Sequence, residues 1–356
     1  MAYDLVGDEA FSASSLNATA QIWHARLLAR DITATAAYNA AYNATDDLYG
    51  TEALSDTVGH CILALLTAFR MTGDLHILDM IDVIMERAKH PLIDLGYMLS
   101  VDHMSLNGVM ALLAQMTYVY KVNSGKTSPS GVDYSARYTQ WYTYLIDTYV
   151  ATYSYGFYTG NALLRHRGTA FMRGAWYMWR LTGRVESFYE ASEYGPYGFY
   201  GFRRMMMAEN RTDIVVGGAD HMGQVEIDGR WCWDAELPYI WGSNPGVLNW
   251  QHSNYARYTL ANALDMWCEG AYMFSTSSLI KYAKTAWYII QDIPNIRDDM
   301  NTTSVNNQMT YGQWQISSLV GCARWNTDLL AIADADWVNV SSTVVEFPAW
   351  MLFATA

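Results

Sequence analysis

Charged side chains are scarce in this chain of 356 residues, because Asp, Glu, Lys and Arg together make up only 16% of it. Acidic residues outnumber basic ones, and the formal net charge is −13. The positive surface that attracts nucleic acid is therefore missing, and we expect no nucleic-acid partner. An anionic ligand would need a local cluster of Arg, His and amide groups.

Long apolar runs and metal-binding motifs are missing as well. No stretch approaches the roughly 18 apolar residues of a membrane span, and no signal peptide is visible at Met1, so we expect no membrane partner. The eight histidines form no HExxH motif or Cys/His cluster, and we expect no metal and no cofactor. The cysteines form no CxxC pair and are expected to be buried thiols, with a disulfide left open: Cys61, Cys232, Cys268 and Cys322.

Apolar and aromatic residues are abundant instead. Hydrophobic residues make up 51% of the chain, which is enough for a large core, and there are 27 Tyr and 14 Trp. Most of these rings are expected to fill the core. Tyr and Trp also combine an apolar face with a polar group, which suits the stacking of sugar rings in a cleft.

Pairs of helical segments joined by short polar breaks recur along the chain. Glycine and small polar residues at the breaks are typical helix stop and start signals. The N-terminal stretch Ser15–Tyr42 is also helical, and the predicted pairs are Thr57–Arg70 with Leu75–Lys89, Ser105–Lys121 with Asp133–Tyr153, Thr169–Arg180 with Val185–Tyr194, Asn254–Phe274 with Ser278–Asp292, and Met309–Ala323 with a short terminal segment.

Such pairs cannot each bury an apolar face alone, so they are expected to stack side by side. The first helix of each pair is apolar nearly all round, as a helix covered on both sides should be. The pattern favours an all-α fold in which helix pairs form an (α/α) toroid or incomplete barrel. We expect residues 1–356 to form a single catalytic domain with this fold. An open solenoid is the alternative.

One segment, 195–250, breaks the helical pattern and is rich in Gly, Pro, Tyr and Trp. Within it, alternating residues from Gln224 to Trp233 surround Asp228-Gly229, which predicts a β-hairpin. A long insertion between helices usually lies over a functional end of a domain. We expect this segment to form part of the wall of a cleft.

The breaks also align polar residues near the start of each first helix. Five residues lie 16 or 17 positions before their break: Asp56, Asn107, His166, Tyr258 and Tyr311. A toroid would bring these positions together around one opening. Further polar residues lie close to them in sequence: His103, Arg165, Arg167, His252, Tyr255 and Arg257.

This set suits the β-elimination of a uronic-acid polysaccharide. The C5 proton of a uronate becomes more acidic when Asn, His or Arg neutralises the adjacent carboxylate and stabilises the enolate-like intermediate. A Tyr or His can remove that proton, and a Tyr can donate one to the departing O4 oxygen. An adjacent Arg or protonated His lowers the pKa of a tyrosine.

An Asn, a His and a Tyr from successive inner helices resemble the polysaccharide lyases of the (α/α) toroid fold, most closely the alginate and glucuronan lyases of family thirty-eight. The resemblance implies that Asn107 neutralises the carboxylate, that His166 neutralises it or acts as the base, and that Tyr258 or Tyr255 is the acid or base. His252 or Arg257 would assist. Binding residues would be Arg165, Arg167, Arg257, His103, Tyr311, Trp250 and Trp314. Unlike many toroidal lyases, the chain has no room for an additional β-sandwich domain.

Other functions stay open. A glycoside hydrolase would need two carboxylates across the cleft, with Asp234 and Glu236 facing Asp56 or Asp102 as candidates. A carbohydrate-binding protein without activity fits the aromatic content equally well. A terpene cyclase would use Asp46-Asp47 or Asp298-Asp299, but neither pair has the further acid that a magnesium cluster needs. We expect a secreted or periplasmic monomer acting on an anionic polysaccharide.

Overall fold

A computed structural model of the chain describes residues 4–45, 48–97, 103–150, 165–183, 215–216, 219–220, 224–233, 253–269, 276–290, 296–297 and 318–356. These residues are mostly helical, which confirms the all-α class. Within these ranges, strands occur only in two short antiparallel pairs. None of the described helices is both long and apolar enough to cross a membrane.

The α-helices are numbered in chain order. They are α1 (Ala18–Leu28), α2 (Ala36–Tyr42), α3 (Leu48–Glu52), α4 (Gly59–Thr72), α5 (Leu75–Lys89), α6 (His103–Asn123), α7 (Tyr134–Thr143), α8 (Arg165–Thr182), α9 (Ser253–Cys268), α10 (Thr276–Ile290), α11 (Ser318–Gly321), α12 (Thr327–Asp336) and α13 (Glu346–Thr355). Turns of π-helix precede α4 and follow α5 and α7, at Ala53–Val58, His90–Asp94 and Tyr144–Val150. The strands are β1 (Val215–Val216), β2 (Ala219–Asp220), β3 (Gln224–Ile227) and β4 (Arg230–Trp233).

The break between α4 and α5 shows why the predicted pairs form. Gly73 ends α4 with φ 70°, a left-handed conformation that glycine adopts without a steric penalty. The carboxylate of Asp74 then caps α5 by accepting a hydrogen bond from the backbone N–H of His76 at 2.9 Å. The predicted bounds of α5, Leu75–Lys89, are those of the structure.

The N-terminal stretch is helical, as predicted, and forms two α-helices. Ser15–Tyr42 is not continuous, because a 3-10 turn at Ile32–Ala34 separates α1 from α2. Asp31 caps that turn and Thr35 caps α2, so side-chain oxygens bind backbone N–H groups that a continuous helix would use. The prediction Val185–Tyr194 lies outside the described residues, and only the end of Met309–Ala323 falls within them.

The first helices of the pairs pack against one another in sequence. Helix α4 contacts α6, α6 contacts α8, α8 contacts α9, α9 contacts α11, α11 contacts α13, and α13 returns to α4. Helix α5 packs against α4, and α7 packs against α6. Helix α13, which lies in the predicted short terminal segment, contacts both α11 and α4.

Small residues let neighbouring helices approach closely. A Cβ on Gly174 of α8 would lie 3.2 Å from the Ala111 Cα of α6 and 2.5 Å from Met110 Cε. A Cβ on Gly321 of α11 would lie 2.5 Å from the Trp350 ring of α13. Helix α4 is buried on nearly every side, as predicted for an inner helix.

The predicted hairpin is present, with Val225 paired to Cys232 and a two-residue turn at Asp228 and Gly229. Both turn residues have positive φ, 52° and 73°, as a type I′ turn requires. Strand β4 packs on α10, where the Trp231 indole N–H donates to Ser278 Oγ at 3.0 Å. Most of 195–250 lies outside the described residues, so its place in a cleft wall stays a prediction.

The prediction that the cysteines are buried thiols is confirmed at three positions. Cys61, Cys268 and Cys322 are buried free thiols. Burial raises the pKa of each, to about 12 for Cys268 and Cys322, so these thiols are inert at neutral pH. The side chain of Cys232 is outside the described set.

Candidate functional site

Tyr258, in the second turn of α9, is the centre of a polar cluster. Its hydroxyl accepts a hydrogen bond from Arg257 Nη2 at 2.6 Å, and the same guanidinium lies 4.5 Å from the ring centroid. The imidazole of His60 stacks on the phenol ring, with centroids 4.1 Å apart and planes inclined by 26°. These contacts fix the orientation of the phenol between α4 and α9.

Two carboxyl groups reach the same cluster. Asp56, in the π-helical turn before α4, accepts a hydrogen bond from Ser55 Oγ at 3.1 Å and raises the pKa of Tyr258. Glu346, the first residue of α13, accepts a hydrogen bond from the thiol of Cys61 and interacts with Arg257. The starts of α4, α9 and α13 therefore lie together.

Burial dominates the electrostatics of this cluster. It raises the pKa of Tyr258 to about 12, although Arg257 acts in the opposite direction. The lowering by a neighbouring cation that we expected is present, but the raising effect of burial is larger. Burial also raises the pKa of Glu346, against the opposing effects of hydrogen bonds and Arg257. Tyr258 thus keeps its proton at neutral pH.

The predicted residues fall into three groups. Tyr255, Arg257 and Tyr258 are described in full, and Tyr255 is 40% exposed one turn before the cluster. Five others lie in the first turns of α6 and α8, but their side chains are outside the described set: His103, Asn107, Arg165, His166 and Arg167. The remaining residues lie outside the described ranges: Trp250, His252, Tyr311 and Trp314, together with the alternative acids Asp102, Asp234 and Glu236.

The helix starts that carry Asn107 and His166 are neighbours of the Tyr258 cluster. A Cβ on Gly108 of α6 would overlap Ser55 Oγ, beside Asp56. Asn262, one turn after Tyr258, donates from Nδ2 to Thr169 Oγ1 of α8 at 3.3 Å. The catalytic roles of Asn107 and His166 stay predictions.

Sequence reasoning missed His60 and Glu346. No spacing signal was available for His60, because the π-helical turn at Ala53–Val58 alters which residues share a helix face. Glu346 begins α13, and its position could have been found only by identifying α13 as an inner helix.

A second polar cluster occupies the core between the later turns of the same helices. Arg70 of α4 is fully buried and pairs with Asp265 at 3.0 Å and with Glu269 at 2.6 Å. Gln115 Nε2 donates to Asp265 at 2.9 Å and to Tyr177 Oη at 3.0 Å, and Tyr177 also bonds Arg70. This cluster joins α4, α6, α8 and α9 through ion pairs and hydrogen bonds.

Comparison of the chain with protein-family models, with curated proteins and with solved structures finds no match. Among the described residues, no group of three or more His, Cys, Asp or Glu side chains is arranged to hold a metal ion.

Proposed function

We propose that this chain is a polysaccharide lyase that cleaves a uronic-acid polymer of the alginate or glucuronan type by β-elimination. The observation that carries the proposal is the Tyr258 phenol, held by Arg257 at 2.6 Å and stacked on His60 where several inner helices begin. A fixed, protonated phenol beside a cation is suited to donate a proton to a leaving oxygen next to an anionic sugar.

We also propose that the inner helices close into an (α/α) toroid. The support is the packing order, in which each inner helix contacts the next and α13 contacts α4. In such a ring the helix starts share one opening, which would bring Asn107 and His166 to the cluster around Tyr258. The packing of α1 against α13 is consistent with a second layer outside the first.

The proposed reaction assigns a different role to each group. Asn107 neutralises the uronate carboxylate, and His166 removes the C5 proton. The electron pair from the C5–H bond forms the C4–C5 double bond, the C4–O4 bond breaks, and Tyr258 donates its proton to O4. A pKa of about 12 suits Tyr258 as this acid, because the group starts protonated. His60 and Arg257 position the phenol.

A glycoside hydrolase is the second candidate, and Glu346 favours it. A carboxyl group with a raised pKa is what a general acid requires, and Asp56 offers a second carboxylate at the same end. In that reaction water adds across the glycosidic bond, so the product has a new reducing end but no double bond.

The test is a panel of uronate polymers, with ultraviolet absorbance of the unsaturated product and reducing ends measured in parallel. We expect absorbance with at least one polymer and a loss of about 10²–10⁴-fold in kcat for Tyr258→Phe. Tyr38→Phe is the matched control, since Tyr38 also lies beneath a guanidinium, that of Arg87 at 4.4 Å. It should keep full activity.

Reducing ends without absorbance would favour the hydrolase, and Glu346→Gln should then abolish them. If the unmodified protein cleaves no polymer, and both it and Tyr258→Phe bind one, the chain is a carbohydrate-binding protein without activity. If Tyr255→Phe rather than Tyr258→Phe abolishes the absorbance, Tyr255 is the acid.

A further inference from the structure

Arg173 of α8 is a buried cation, and two of its nitrogens have no hydrogen-bond partner among the described residues. The residue is 3% exposed. The two nitrogens are Nε and Nη1. Leaving a buried charged donor unsatisfied is costly, and most such groups in proteins are paired. A ligand with an anionic group would supply the acceptor that the described residues do not provide.

The position of Arg173 on its helix shows where that acceptor would lie. Thr169, one turn earlier, receives a hydrogen bond from Asn262 of α9, and Tyr177, one turn later, bonds Asp265 of α9. Residues four apart lie on one helix face, so Arg173 lies on the face that α8 presents to α9. It is thus between the Tyr258 cluster and the buried ion pairs.

Asn262, on the facing helix, has an unpaired acceptor at the same level. Its Nδ2 donates to Thr169 Oγ1 and to the backbone oxygen of Tyr258, at 3.3 and 2.9 Å. Its Oδ1 is buried and accepts from no described group. An unpaired acceptor and unpaired donors therefore come from two adjacent helices, one turn from Tyr258.

Asp265 acts electrostatically on the charge of Arg173 and offsets only part of the cost of burial. The Asp265 carboxylate already accepts from Arg70, Gln115 and Tyr177, and Glu269 is paired with Arg70 and Arg180. Among the described residues, three arginines thus share two carboxylates. Burial lowers the pKa of Arg173, as expected for a cation with incomplete compensation.

We infer that Arg173 and Asn262 form a subsite for the carboxylate and a hydroxyl of a bound uronate. The guanidinium of Arg173 donates to the carboxylate, and Asn262 Oδ1 accepts from a sugar hydroxyl. A guanidinium matches the geometry of a carboxylate through two parallel hydrogen bonds. The inference rests on the proposed function, because it places a uronate ring of the polymer beside Tyr258.

The test measures the thermal unfolding of the whole chain with sodium glucuronate, with glucose and with sodium sulfate. At a glucuronate concentration 100-fold above Kd, we expect the Tm to rise by roughly 4 °C. Glucose and sulfate should each give a much smaller rise, because glucose lacks the carboxylate and sulfate lacks the hydroxyl. An equal rise with sulfate would overturn the sugar subsite.

Variants separate ligand binding from folding. Arg173→Met should retain or exceed the Tm of the unmodified protein without ligand, because an unpaired buried charge is removed, and should lose the response to glucuronate. Arg173→Lys keeps a charge but not the planar fork, so its Kd should rise at least about 10-fold. Arg30→Met is the control, since Arg30 also has a buried Nε without a described partner, and it should respond normally.

An unchanged response in Arg173→Met and Arg173→Lys would refute the subsite. Its failure is distinguishable from that of the lyase. If glucuronate stabilises the protein through Arg173 but no polymer is cleaved, the subsite stands and the lyase fails. If a polymer is cleaved and Arg173→Met keeps both kcat and KM, the lyase stands and the subsite fails.

Discussion

Replacing Asp265 with alanine tests whether the buried charges hold the inner helices together. The carboxylate is fully buried and accepts hydrogen bonds from Arg70 at 3.0 Å, from Gln115 at 2.9 Å and from Tyr177 at 3.1 Å. The substitution would remove the acceptor that these donors share. Glu269 alone would then compensate the charge of Arg70. Breaking a buried pair in this way costs about 3–5 kcal/mol.

The matched control is Asp334→Ala. Asp334 lies 3.9 Å from Arg26, and its side chain is 63% exposed. Water and salt screen such a pair, so its removal should cost about 0–1 kcal/mol. The two variants thus remove the same group from a charge pair, one inside the core and one at the surface.

The assay is urea unfolding at neutral pH, followed by circular dichroism and tryptophan fluorescence so that the two transitions can be compared. We expect both probes to give the same midpoint, and a much larger loss for Asp265→Ala than for Asp334→Ala. A loss below about 1 kcal/mol for Asp265→Ala would refute the reasoning, because it would equal the value of a surface pair.

Three further substitutions test other contacts by unfolding or proteolysis. Burial raises the pKa of Asp74, but hydrogen bonds from two histidines outweigh this effect and lower it. The carboxylate therefore stabilises the fold above about pH 3.9, and this stabilisation is lost as the pH falls through the lowered pKa. In Asp74→Asn, the Tm should fall less over this pH range. Gly174→Ala forces α8 away from the α6 backbone and should cost about 1–3 kcal/mol, whereas Gly125→Ala, with open space around it, should be neutral. Asn123→Ala removes hydrogen bonds at 2.6 and 2.8 Å to the N-terminal segment, which should then be cleaved sooner by protease.

Helix pairs with a strong stop signal could be predicted from the sequence. The glycine at position 73 and the capping aspartate after it act locally, and the bounds of α5 followed from them. Helix α13 was missed because every residue between Glu346 and Thr355 is apolar, which leaves no periodic face to detect. Its place in the inner set depends on contacts with α4 and α11, which are distant in sequence.

The spacing of polar residues from the helix breaks predicted which residues come together but not how their side chains interact. It selected Asp56 and Tyr258, whose side chains interact in the structure. It gave no indication of the stack of His60 on Tyr258, because the π-helical turn at Ala53–Val58 changes which residues share a face. It also could not weigh burial against the Arg257 charge, since burial depends on neighbours from other helices.

The two polar clusters along α9 differ in how their groups are satisfied, and this difference separates stability from function. Around Asp265, cations and carboxylates of the chain form direct ion pairs, so its replacement should change the free energy of unfolding more than turnover. Arg173 has donors that no described group satisfies, so its replacement should change ligand affinity without loss of stability. Tyr258 lies nearer the helix starts, and Tyr258→Phe should change turnover alone. Three separable effects would then arise along the contact between α8 and α9.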